Sequence, residues 1–256
     1  MLAGAAPPVY SRSMNWAPAF LSNPERFMAF SRWAAPMFGA IALVLGVAGL
    51  WLGWAAPEDY QQGATVRILF IHIPAAWLSE FAYACLAVAS LLALVWRHVL
   101  ADAAAQAAAP LGAGFTVLAL ATGSLWGRPM WGTYWQWGDA RITSEFILLL
   151  IYLAYMVVRA SLDDEVKAAR AAAILALVGA VNLPIIHYSV VWWNTLHQGA
   201  SVFRAGGSAL APVFYWPVIL MVLAYMAAFG SLWLVRIRGE VWRRRAEAAA
   251  LRAARA

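Results

Sequence analysis

The sequence predicts an all-α, polytopic membrane protein with six transmembrane helices and both termini in the cytoplasm. Of its 256 residues, 64% are hydrophobic and only 12% are charged, and a water-soluble domain of this length could not cover that much apolar surface. Uncharged runs reach the length of a bilayer span, and basic residues are distributed unevenly between the segments that join them. The whole chain, 1–256, is therefore predicted to be one integral membrane domain.

Six segments are apolar over the ~20 residues that cross a bilayer. Four of them carry no Lys, Arg, Asp or Glu, and they cover 34–56, 103–127, 171–203 and 205–235. Two more tolerate a few ionisable groups: 68–96 holds His72 and Glu80, and 142–158 holds Glu145. The predicted helices lie at about 36–55, 70–95, 105–126, 143–160, 171–187 and 212–235.

Charged residues do not mark the end of the fifth helix, because its uncharged run exceeds one span. Pro184, Asn194 and Gln198 mark the second half of that run as irregular. We expect the helix to end near Ile186 or His187 and an outward loop to follow.

Basic residues set the predicted orientation. Fourteen of the 18 Lys and Arg residues fall on the side of the two termini, seven of them in a basic tail at 236–256. The positive-inside rule then places this side in the cytoplasm and leaves three outward loops, at about 55–71, 126–142 and 187–211. In a Gram-negative cell these loops would face the periplasm from the inner membrane. The tail alternates arginine clusters with alanine, so it is expected to be helical and to lie near anionic lipid.

The second outward loop is unusually aromatic. Met130 and Tyr134 accompany four tryptophans, which are Trp126, Trp131, Trp135 and Trp137. An aromatic belt at the headgroups would explain one or two rings at a helix end, but here a whole loop is aromatic. The alternative is a flat apolar platform that grips a planar, largely hydrophobic macrocycle by its face.

Histidines indicate what such a macrocycle could be. His72 stands just before Pro74 at the outward start of the second span, and His187 lies at the outward end of the fifth. Imidazole is a common axial ligand of haem iron, so two imidazoles at matched depth could bind it from opposite faces. His197 lies in the same outward loop as His187 and remains a competitor, whereas His98 lies at a cytoplasmic helix end.

The outward arginines are candidate partners of the two haem propionates. Four basic residues fall on this side, and we favour Arg128 among Arg67, Arg128, Arg141 and Arg204. Ion pairs with outward carboxylates are the alternative. Asp139 precedes the fourth helix and is expected either to cap it or to take part in the site. Glu80 lies about 12 Å below His72 at helical rise, and an ionisable group at that depth is a functional candidate.

Three separated motifs resemble one known family. The run 126–137 followed by 139–145 is similar to the tryptophan-rich WWD signature of haem-handling proteins, and more narrowly to the cytochrome c maturation protein CcmC family. The segments 59–63 with 71–76 and 181–190 with 192–199 agree with it. One departure is Gly138, which separates the last tryptophan of the signature from Asp139.

The resemblance implies a function in haem binding and transfer rather than an enzyme activity of its own. It implies that haem b is held on the periplasmic face, with His72 and His187 as axial ligands and the WWD loop around the macrocycle. The expected recipient is the haem chaperone CcmE, and the expected associates are CcmA, CcmB and CcmD together with membrane lipid; no nucleic acid is expected. The chain has no phosphate-binding Gly-Lys-Ser/Thr loop, so ATP hydrolysis would belong to a partner.

Two other classes remain as alternatives. A b-type electron-transfer subunit would hold haem permanently, although its histidines would usually lie within the helical bundle. The membrane subunit of a transporter would need a polar path, for which Glu80 is the one candidate.

Overall fold

The computed structural model describes residues 23–199, 202 and 207–254. Within these ranges the chain forms seven α-helices and one short 3-10 helix, without a β-strand. In chain order the elements are α1 (Pro24–Ala55), the 3-10 helix (Ala64–Ile68), α2 (Leu69–Trp96), α3 (Val99–Trp131), α4 (Ala140–Ser161), α5 (Glu165–Gly179), α6 (Asn182–Trp192) and α7 (Pro212–Ala253). Arg12 and Arg204 lie outside the described residues.

Six helical segments of the described chain are long and apolar enough to cross a membrane. Four of them are α1, α3, α4 and α7, a fifth is α2 together with the 3-10 helix, and the sixth is α5 and α6 in sequence. The prediction of an all-helical protein with six spans is therefore confirmed. The cytoplasmic position of the termini stays a prediction.

Several helices extend beyond the predicted bounds, because their ends are set by caps rather than by the first charged residue. Helix α1 starts at Pro24 and not near 36, since the Asn23 side chain accepts a hydrogen bond from the backbone N–H of Glu25 at 2.8 Å. Helix α3 runs to Trp131, where Gly132 ends it with φ 78°. Helix α7 continues through the basic tail to Ala253 and does not stop near 235.

The fifth span also differs from its prediction of 171–187. Its helix breaks after Gly179 and resumes as α6 from Asn182 to Trp192, so His187 lies within a helix and not at its end. Pro184 falls in the first turn of α6, where a missing N–H costs no helical hydrogen bond. The Asn182 amide donates to the carbonyl of Ser144 on α4 at 2.9 Å, which fixes the break against a neighbouring helix.

The core of the bundle lies between α2, α3, α4 and α5. Tyr83 and Tyr152 are fully buried there, with ring centroids 5.0 Å apart, and their hydroxyls donate to carbonyl oxygens of neighbouring helices. Helix α1 packs mainly against α7, where Gly49 makes room: a Cβ at this position would lie 2.9 Å from the Met221 side chain. One end of the bundle carries the 3-10 helix, the segment 132–139 and the end of α6, and we call it the outward end.

Candidate functional site

His72 lies in the first turn of α2 at the outward end and is held by α3. Its Nδ1 is 3.1 Å from the carbonyl oxygen of Ala119 and 3.1 Å from the hydroxyl of Thr122. That hydroxyl donates its own proton to the carbonyl of Leu118 at 2.6 Å, so both neighbours of Nδ1 act as acceptors. We therefore assign the ring proton to Nδ1. The lone pair on Nε2 is left available to a ligand, as in most metal-binding histidines.

The sequence makes space for this ring at Gly123. A Cβ at this position would lie 2.9 Å from Cε1 of His72, closer than side chains pack. Gly123 therefore allows α3 to approach the imidazole closely.

Trp126 forms the next part of the site, in the penultimate turn of α3. Its ring meets that of His72 edge to face, with centroids 5.6 Å apart at 74°. The indole N–H donates to Oε1 of Gln62 at 3.0 Å. Gln62 is presented by a turn in which the Asp59 carboxylate accepts from two backbone N–H groups at 2.9 Å, before Gly63 takes φ 57°.

The predicted loop at 126–142 is shorter in the structure, because α3 includes Trp126, Arg128 and Trp131. The remaining connection, residues 132–139, is called the Trp loop. In this loop the ring centroids of Trp135 and Trp137 lie 5.1 Å apart. Each of these rings meets the ring of Phe146 of α4 at nearly right angles. Trp137 is 67% exposed and Tyr134 57% exposed, so the loop presents aromatic surface at the outward end.

Asp139 is the N-cap of α4, as one of its two predicted roles required. Its Oδ1 accepts from the backbone N–H groups of Arg141 and Ile142, each at 3.0 Å. Its Oδ2 accepts from the backbone N–H of Leu196 at 2.7 Å, and Nδ1 of His197 lies 3.3 Å from Oδ1. The inserted Gly138 therefore leaves Asp139 directed into the protein, where it is 2% exposed.

His187 and His197 differ in their surroundings. His187 is exposed on α6, and its ring contacts that of Tyr188 at 4.9 Å. His197 is packed on Trp131 with ring centroids 4.8 Å apart and faces Asp139. Burial lowers the pKa of His197, and the Asp139 carboxylate opposes this shift. His72 interacts electrostatically with His197 and Arg141.

The outward arginines are used in different ways. Arg128, favoured from the sequence, donates to the carbonyl of Gly132 at the end of its own helix and lies 5.6 Å over the Tyr134 ring. Arg67 lies 4.6 Å over Trp54. The Arg141 side chain makes no ion pair with a described residue and interacts electrostatically with both His72 and His197. Among the described outward arginines, Arg141 is thus the one that interacts electrostatically with these histidines.

Two carboxyl groups lie below the histidines. Glu145 is one turn after Arg141 on α4, is 7% exposed, and lies beside Ser79 of α2. Its Oε1 has no hydrogen-bond partner among the described residues. Glu80 follows Ser79 and interacts electrostatically with Glu145 and Arg141.

Sequence reasoning missed the residues that orient the ligands. Gln62 stood inside a motif that matched the family, but nothing local connected it to Trp126. Thr122 and Gly123 stood within an apparently plain apolar run. Only their helical spacing before Trp126, four residues for Thr122 and three for Gly123, pointed to the same face of α3.

The fold and the site together define a polytopic membrane protein with an aromatic, histidine-bearing site at one end of its bundle. Residues 18–252 match the family model described as Heme exporter protein C. The chain belongs to this family.

Individual relatives agree over most of their length. The Heme exporter protein C of Bradyrhizobium diazoefficiens is 57% identical over 225 residues, which cover 88% of this chain and 85% of that protein. The protein of the same name in Escherichia coli K12 is 45% identical over 219 residues, which cover 85% of this chain and 88% of that protein. The Heme exporter protein C of Paracoccus denitrificans is 43% identical over 236 residues, which cover 92% of this chain and 98% of that protein.

Proposed function

We propose that this chain handles haem in cytochrome c biogenesis: it binds haem b at the periplasmic face of the inner membrane and delivers it to the haem chaperone CcmE. The observation that carries the proposal is the oriented ring of His72, whose Nδ1 is held by two acceptors and whose Nε2 makes no hydrogen bond with a described residue. An imidazole oriented in this way is prepared to bind a metal. The family name of the relatives supports the choice of haem.

The residues present fit the group. His72 and His187 are the proposed axial ligands, because one is oriented by α3 and the other is exposed on α6 at the same end of the bundle. Bound haem supplies an iron centre with two axial positions and two propionates. Trp126 orients the His72 ring, while Trp131, Trp135 and Trp137 provide apolar faces against which the macrocycle packs.

The propionates require cations, and Arg141 is better placed for this role than Arg128. Arg128 is bound to Gly132 and covers Tyr134, so its contribution is to shape the Trp loop. Arg141 acts on both His72 and His197, and its side chain is not engaged by a described carboxylate. A guanidinium in that position attracts an anionic edge of the ligand.

The position of the site supports delivery of haem rather than its permanent storage. Tyr134 and Trp137 are exposed in the Trp loop, so a soluble domain can reach the aromatic surface from outside. CcmE is the proposed recipient, and CcmA, CcmB and CcmD are the proposed associates within an exporter complex. The chain itself acts as a haem-transfer protein.

Transfer of haem to the chaperone tests this function. His72→Ala and His187→Ala are expected to stop haem from reaching purified CcmE when the two proteins are mixed in detergent. The matched control is His98→Asn, which keeps the side-chain cap of α3 at the opposite end of the bundle. Normal transfer by both alanine variants, or loss of transfer in the control alone, would refute the assignment. A wild-type protein that keeps its haem and transfers none to CcmE would favour the electron-transfer alternative.

A further inference from the structure

The two ends of the Trp loop are fastened to the same short segment of chain. The segment 193–199 follows α6, and it contributes His197 to the ring of Trp131 at the start of the loop. At the end of the loop, Asp139 accepts from the backbone N–H of Leu196 at 2.7 Å. The loop is thus closed at both ends by neighbouring residues that lie far along the chain.

Asp139 could cap α4 without these contacts. A capping carboxylate normally needs one oxygen for the first N–H groups of its helix and leaves the other in water. Here the side chain is almost fully buried, so the second oxygen must find donors inside the protein. The backbone N–H of Leu196 supplies this donor to Oδ2, and Nδ1 of His197 lies 3.3 Å from Oδ1, the oxygen that caps α4.

His197 occupies the centre of the arrangement. Its ring has Asp139 at Nδ1 and Trp131 across one side at 62°, and its side chain is 17% exposed. The Nδ1 edge of the ring thus contacts Asp139 at the end of the Trp loop, and the ring itself contacts Trp131 at its start. No described contact of comparable kind fastens the exposed Trp137 side of the loop to this segment.

We propose that His197 is a positioning residue: with Asp139 it forms a clasp that fixes the Trp loop to the chain that follows the His187 helix. The clasp couples the Trp loop to α6, the helix that carries the second proposed ligand, His187. The distance between the loop and α6 is thereby kept constant. Its consequence for haem rests on the proposed function. The coupling of the two segments does not.

Hydrogen exchange of the protein in detergent tests the coupling directly. His197→Ala is expected to speed backbone exchange in both 132–139 and 193–199, because each segment loses its fastening. His197→Asn is expected to restore much of the protection, since its amide can donate to Asp139 from nearly the position of Nδ1. Gln198→Ala is the matched control on an exposed neighbour and should leave exchange unchanged. Faster exchange confined to 193–199 would overturn the clasp.

A second background separates the clasp from the cap. Asp139→Asn keeps an oxygen for the N–H groups of α4 but replaces an acceptor with a donor opposite Leu196. If the clasp acts through this contact, His197→Ala should add little further exchange in the Asp139→Asn protein. Full additivity of the two changes would contradict it.

Haem release distinguishes positioning from ligation. His197→Ala should release haem about ten-fold faster while the absorption spectrum keeps the signature of two axial histidines. Loss of that signature with unchanged exchange would make His197 a ligand and overturn the clasp. A wild-type protein that binds no haem would refute the proposed function, and the exchange measurements would still decide whether the clasp exists.

Discussion

Single residues in this protein decide how the imidazole of His72 is oriented. The closest constraint is Gly123, because any side chain there meets the ring. We predict that Gly123→Ala lowers haem affinity by about ten-fold, since overpacking of this kind costs roughly 1–3 kcal/mol. Gly114→Ala is the control on the same helix, where a Cβ has nothing within 4 Å. Haem titration of the two variants measures the effect, and equal affinities would show that the ring needs no such space.

His197 gives the site a dependence on pH. Burial lowers its pKa, so the folded protein favours the neutral ring and the unfolded chain has the ordinary value near 6.5. The stabilisation by the neutral ring is complete above that value and is lost as pH falls through the lowered folded pKa. We expect extra exchange of 193–199 at pH 5 relative to pH 7.5, after correction for intrinsic rates, and none of this difference in His197→Asn. A pH-independent wild-type protein would contradict the assignment.

At the scale of elements, the Trp loop is expected to bind by its aromatic faces. Replacing Trp131, Trp135 and Trp137 together with Ala should abolish haem occupancy while the protein still inserts, because insertion depends on the spans. Single changes should be milder, at ~1 kcal/mol for one of several rings. The control is a triple alanine variant at three exposed rings elsewhere on the bundle, Trp33, Trp51 and Trp216. Normal haem content in the loop variant would make these rings a headgroup belt.

Elements also show what the sequence could predict. The number of spans followed from uncharged runs, because a bilayer requires that length of apolar chain. The helix ends could not be predicted from charge, because Asn23 and Gly132 set them by hydrogen bonding and backbone conformation. Pro184 marked this run as irregular, but the break before α6 is fixed by Asn182 and a carbonyl of another helix, a contact that no local pattern shows.

The candidate site divides in the same way. Trp126 and His72 were identified from residue type and position, and the structure brings their rings together. The contact of Asp139 with His197 joins residues far apart in sequence, and it could be found only once the helices were packed. Sequence therefore predicted which residues are chemically able to act, while packing determined which of them meet.

At the scale of the whole molecule, orientation in the membrane remains a prediction that rests on basic residues. Reporter fusions after Arg97, Asp164 and Arg245 should behave as cytoplasmic, and fusions near Gln62 and Thr133 as exported. The structure places the last two positions at the outward end, in the turn beside Trp126 and in the Trp loop. An exported reporter at Asp164 would mean that the orientation in the membrane is the opposite of the predicted one. His72 and His187 would then lie on the cytoplasmic side.

We propose that two histidines at the outward end of the bundle hold haem. The absorption spectrum of the purified protein loaded with haem tests this proposal most directly. We predict a six-coordinate spectrum typical of two axial histidines, which His72→Ala or His187→Ala converts to a five-coordinate or weakly bound form. His197→Ala should keep the six-coordinate form. A His187→Ala protein that retains the spectrum, together with a His197→Ala protein that loses it, would contradict the account and make His197 the second ligand.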